Sequence, residues 1–156
     1  MSGKRDSSLT SKVCATIAVA PHNPGYPNDF SSEYAHSLGP DILAGMRFGP
    51  NQRYLLLYFH LPDDLQLRTY EIGNPPHLKV DLSVPAPWGE YTHHAHSGTL
   101  SVTQLANQQI YATFNFETEI KTPDETLTFS FTAGIISLEY YPTPPPYRLG
   151  NRAFGQ

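Results

Sequence analysis

From residue 13 to residue 141 the chain keeps returning to one rhythm, an apolar side chain at every second position. "VCATIAV" places Val13, Ala15, Ile17 and Val19 on one face. "HLKVDLSV" turns Leu78, Val80, Leu82 and Val84 inward, with Lys79 and Asp81 outward. "QIYATFNF" separates Ile110, Ala112, Phe114 and Phe116 from Tyr111, Thr113 and Asn115. "TLTFSFTA" puts Leu127, Phe129, Phe131 and Ala133 on one side. A period of two belongs to extended chain, whose successive side chains point to opposite faces of a sheet. No stretch sustains a 3.6-residue period beyond two turns; "SSEYAHSL" is compatible with a short helix or with loop.

Turn formers punctuate the rhythm at 21–40, 62–64, 73–76, 85–89 and 121–125, and "ANQ" offers a hairpin connection between "TLSVTQL" and "QIYATFNFETEI". "RYLLLYFHL" is apolar without interruption and reads as a strand covered on both faces. Gly134 allows a kink or bulge before "IISLEYY". The expectation is an all-β single domain, an antiparallel β-sandwich or β-barrel of eight or nine strands. It occupies residues 13–141, between a polar N-terminal arm (1–12) and a proline-rich C-terminal arm (142–156).

Composition bounds the function. The net charge is 10 − 14 = −4, and no basic tract follows "GKR" at the start. Duplex nucleic acid is not expected as a partner, since phosphate binding needs a cationic footprint. A single cysteine, Cys14, excludes an intrachain disulfide framework and sits in an alternating strand as an inert thiol. The polar first twelve residues contain no signal peptide in the given sequence, which leaves the localisation open. "YLLLYF" is too short to span a bilayer.

"YTHHAHSGTLSV" holds three histidines in four positions, His93, His94 and His96. If the strand runs unbroken through Gly98, His94 and His96 share the face of Leu100 and Val102, and His93 points outward beside Tyr91. Two imidazoles at i and i+2 suit a metal, with Glu90, His60, His77 or Glu71 as candidate third donors. A cupin-type site would also want an acid soon after the pair, where Leu100 and Ser101 stand. The balance favours half-exposed imidazoles at a strand end, with no metal and no cofactor. No "GxSxG" elbow or glycine-rich phosphate loop is present. Glu117 and Glu119 read as solvated strand charges rather than a glycosidase pair.

The tail "YYPTPPPYRLGNRAFGQ" should be stiff and extended, in a polyproline II conformation. "PPPY" formally matches the ligand pattern of WW domains through Pro144, Pro145 and Tyr147. Tyr140, Tyr141, Tyr147 and Phe154 are candidate apolar anchors, and Arg148 and Arg152 candidate ion-pair donors to an acidic body.

Residues 97–138, with Gly98, Thr99, Ala112, Thr113, Phe114, Phe116 and Gly134, resemble small uncharacterised bacterial β-domains with a lipocalin-like look. The resemblance implies a β-meander and brings no activity with it. Many such domains are exported lipoproteins, and this chain lacks the lipobox.

The function expected is therefore non-enzymatic: protein–protein contact or structural assembly, with itself as the partner, in a homo-oligomer. Two alternatives stand beside it. One is an inhibitor or immunity protein that blocks its partner. The other is a metal or small-ligand binder built on the His93–His96 strand.

Overall fold

The computed structural model describes residues 11–86 and 89–142. Eleven strands carry the chain: β1 (Lys12–Ala20), β2 (Asp29–Ser31), β3 (Tyr34–Leu38), β4 (Asp41–Phe48), β5 (Arg53–His60), β6 (Thr69–Glu71), β7 (Lys79–Ala86), β8 (Gly89–His94), β9 (Ser97–Ala106), β10 (Gln109–Lys121) and β11 (Thr126–Glu139). No helix occurs among the described residues. The strands form two open antiparallel sheets, ordered β2-β1-β11-β10-β9-β6 and β3-β4-β5-β7-β8. Neither sheet closes on itself, so of the two expected architectures, sandwich or barrel, the barrel does not form.

The count exceeds the expected eight or nine for identifiable reasons. "SSEYAHSL" is strand rather than helix: Tyr34–Leu38 pairs with β4, from Tyr34 opposite Gly45 to Leu38 opposite Asp41. β4 was not anticipated, although Ile42, Ala44, Met46 and Phe48 alternate inward along it. β2 and β6 are three residues each. "LQLRTYEI" does not return alongside β5; its strand portion crosses to the other sheet and pairs with β9. "TLTFSFTA" and "IISLEYY" join into the single β11.

The inner faces share one apolar core. β10 is its clearest contributor, with alternate residues from Ile110 to Ile120 buried. Phe59 of the five-stranded sheet meets Phe114 of the six-stranded sheet edge-on, with centroids 5.1 Å apart. Phe116 stacks on Phe131 at 4.6 Å. Full burial of each such side chain contributes about 1.5–3 kcal/mol.

A bulge interrupts β11 opposite Phe114 and Phe116. It takes Ala133, expected in the core, out to solvent at φ 52° and brings Gly134 against the Phe114 ring. Asn107 and Gln108, both with positive φ, close the β9–β10 hairpin as a two-residue turn of the primed kind that matches strand twist.

Candidate interaction surface

The outer faces of the two sheets differ in chemistry. The six-stranded sheet shows solvent a hydroxyl and amide lattice. Asn115 donates to Thr99 at 3.0 Å, Thr69 and Ser101 share a hydrogen bond of 2.7 Å, and Ser130 donates to Glu117 at 3.2 Å. The five-stranded sheet shows solvent Tyr34, Leu38, Leu43, Tyr54, Leu56 and Tyr58. Leu38 is 47% and Tyr54 43% exposed, and the other four are half-buried. β5 therefore has one core face and one open apolar face, which corrects the expectation of a strand covered on both sides.

Cross-strand pairing makes this face contiguous. Tyr34 lies opposite Gly45 and Gly45 opposite Leu56; Leu43 lies opposite Tyr58 and Tyr58 opposite Asp81. Gly45 leaves room for the Tyr34 ring, which lies where a side chain on β4 would stand. Rings stack along the strands as well, Tyr34 on His36 at 5.7 Å and Tyr58 on His60 at 4.3 Å.

A polar cluster borders the aromatic residues. Asp81 points outward from β7 as its alternation required, yet it is only 8% exposed, because imidazoles from both neighbouring strands cover it. His60 Nε2 lies 3.1 Å from one carboxylate oxygen, and His94 Nδ1 hydrogen-bonds the other. Each oxygen of the Asp81 carboxylate thus has one imidazole partner. The far side of His60 lies 3.7 Å from Asp41 Oδ2, and Asp41 Oδ1 accepts the Leu61 amide at 3.3 Å. The sequence Asp41, His60, Asp81, His94 thus runs across β4, β5, β7 and β8. It supplies a border of carboxylates and imidazoles to the apolar face. Among the described residues, no group of three or more His, Cys, Asp or Glu side chains is arranged to hold a metal ion.

The histidine strand departs from expectation. It is not continuous: β8 belongs to one sheet and β9 to the other, and the chain crosses at Ala95 and His96. The crossing inverts the inward parity. In β8 the odd side is inward, ending on buried Ala95, whereas β9 buries Leu100 and Val102. His94 and His96 consequently do not share a face: His94 lies on the outer face beside Asp81, and His96 is exposed at the crossover, its amide donating to Glu117 O. His93, expected outward, is half-buried, and its Nε2 is buried with no hydrogen-bond partner among the described residues.

Burial, and secondarily the neighbouring His94, holds the proton affinity of His93 below the usual histidine range. The folded protein then resists a proton that the unfolded chain accepts near pH 6.5, so this side chain makes folding less favourable as pH falls below that value. His93→Leu is expected to stabilise by about 1 kcal/mol at pH 7 by removing the unpaired nitrogen. The gap between variant and wild type should widen from pH 7 to pH 5.5 in chemical denaturation. A gap that narrows over that range contradicts the assignment.

The tail residues divide. Tyr140 is not a free anchor: it is 2% exposed and its hydroxyl donates to Pro40 O at 2.8 Å. Tyr141 is 36% exposed, and its amide donates to Ser37 Oγ at 3.0 Å. Pro144, Pro145, Tyr147, Arg148, Arg152 and Phe154 lie outside the described residues, as does nearly all of the 1–12 arm. The apolar outer face itself escaped sequence reading. Its signal was the second alternation within "RYLLLYFH", with Tyr54, Leu56, Tyr58 and His60 on one side.

No helix among the described residues is long and apolar enough to cross a membrane. No family model, curated protein or solved structure matches this chain.

Proposed function

We propose that the chain is a β-sandwich whose work is protein–protein contact in a homo-oligomeric assembly rather than catalysis, with the outer face of the five-stranded sheet as the contact surface. One observation carries this reading: the contiguous apolar and aromatic outer face, set against the hydroxyl-rich outer face of the other sheet. Contiguous exposed apolar surface with a polar border marks interaction sites, and tyrosines are enriched at interfaces. The likeness of residues 97–138 to lipocalin-like bacterial domains is, in this reading, confined to the β9–β10–β11 meander.

The test is the mass in solution. The full chain is expected to sediment as an oligomer at micromolar concentration. Leu38→Glu combined with Tyr54→Glu is expected to raise the dissociation constant at least about tenfold, a penalty of about 1.4 kcal/mol. Both side chains point to solvent, so the variant's melting curve should stay close to wild type. A wild-type chain that remains monomeric at 100 μM, a concentration of about the weakest specific associations, refutes the assembly.

A further inference from the structure

We infer that the occupant of this face is the proline-rich segment 143–156 of a second copy of the chain, an exchanged arm. The inference rests on the assembly reading above and specifies which part of one copy meets which part of the next.

The point of departure is the first support. The last described residues are fixed at the edge of the same sheet. Tyr140 is tied to Pro40 in the β3–β4 connection, and the Tyr141 amide is tied to Ser37 of edge strand β3. The described chain thus ends beside edge strand β3, at the Ser37 side that β3 shares with buried Ala35, one strand face away from outward Tyr34 and Leu38.

Area is the second. The outward rows run from Asp41 and His60 at one end to Arg47 and Tyr54 at the other, about six residues or roughly 20 Å. Five strands at ~4.8 Å spacing give a width of roughly 20 Å. The resulting ~400 Å² is about half of the roughly 800 Å² per partner that a stable interface buries. Two bare faces pressed together fall short, and an arm reaching from each copy adds the missing contact. Fourteen residues at about 3.1 Å each reach roughly 43 Å, twice the width to be crossed.

The chemistry matches on both sides. Extended proline-rich segments dock on surfaces lined with aromatic rings, because little entropy is lost when a stiff ligand is ordered. This face offers Tyr34, Tyr54 and Tyr58, two of them buttressed by stacked imidazoles. Arg148 and Arg152 on the arm complement Asp41, whose carboxylate is partly exposed at the border.

Stiffness selects the second copy over the first. Pro142, Pro144, Pro145 and Pro146 follow directly on the anchored Tyr141. A run of fixed φ angles opposes a tight fold-back onto the face of the same copy.

The test uses the full chain with Tyr147→p-benzoylphenylalanine, prepared as an equal mixture of isotopically light and heavy protein. Irradiation is expected to join light to heavy copies, at outward residues of β4 and β5. Crosslinks confined to one copy, crosslinks on the six-stranded sheet, or their absence overturn the arm exchange. Light scattering on the same sample keeps the two readings apart. An oligomer with crosslinks elsewhere leaves the assembly standing without the arm, and a monomer removes both. Independently, Arg148→Glu with Arg152→Glu is expected to weaken association about tenfold or more, with the melting temperature unchanged; unaltered association counts against the arm.

Discussion

Tyr140→Ala is expected to remove about 3–5 kcal/mol of folding stability, a large share of the 5–15 kcal/mol a domain of this kind has. The side chain lies just past β11, in the six-stranded sheet, and its hydroxyl reaches the β3–β4 connection in the other. It thus couples the two layers at one end of the core, where the ring is almost wholly enclosed. Alanine opens a cavity and leaves Pro40 O without this donor. Tyr140→Phe keeps the ring and should cost only about 1 kcal/mol. Urea unfolding of the three proteins separates packing from hydrogen bond, and a loss under about 1.5 kcal/mol for the alanine variant would show that the site collapses around the gap. Burial, reinforced by Asp41 and Asp63, raises the pKa of this phenol above its ordinary value. The unfolded chain ionises near pH 10 while the folded one does not, so this contribution is complete below pH 10 and is lost above it. Tyr140→Phe should lack that alkaline decline.

Gly98→Ala is expected to cost about as much, by a different route. Gly98 opens β9 with φ 140°, where side chains are strained, and a Cβ would lie 2.2 Å from Asn115 O and 2.6 Å from the Phe116 Cα. Both obstacles are backbone of β10, a strand held between β9 and β11, so neither can step aside freely. Strain of about 1–3 kcal/mol adds to an overpacking penalty of similar size. The variant should melt about 6–20 °C lower, at 2–4 °C per kcal/mol for this chain length. Melting within 5 °C of wild type, a cost of no more than about 2 kcal/mol, would mean that β9 re-registers around the methyl group.

Strands whose two faces differ were plain in the sequence. β1, β7 and β10 carry their burial pattern in the alternation itself. β4 carries it too, but the turn-rich residues before it and the glycine within it masked the strand. The continuous apolar run of β5 held a real ambiguity, because periodicity cannot tell a covered face from an open apolar one. That ambiguity hid the interaction surface. Asp81 was legible as outward, but its burial was not, since the imidazoles that cover it lie 21 and 13 residues away. The histidine strand failed at its stated condition of an unbroken run. A change of sheet at Ala95 and His96 inverts the parity, and nothing in "HHAHSG" marks it except the glycine that follows.

The pairing of β1 with β11 has a consequence for how the protein is made. Ile17 lies opposite Phe131, and the register runs from Lys12 to Ala20 along nearly the whole of the last strand. Of the described strands, β1 is made first and waits for β11, which is made last. At about 5–20 residues per second, the wait is on the order of 10 s. Until then Val13, Ala15 and Ile17 have only the three residues of β2 beside them in their sheet. β9 and β10 can pair locally through their two-residue turn, but β1 joins them only through β11, a long-range pairing of the kind that slows folding.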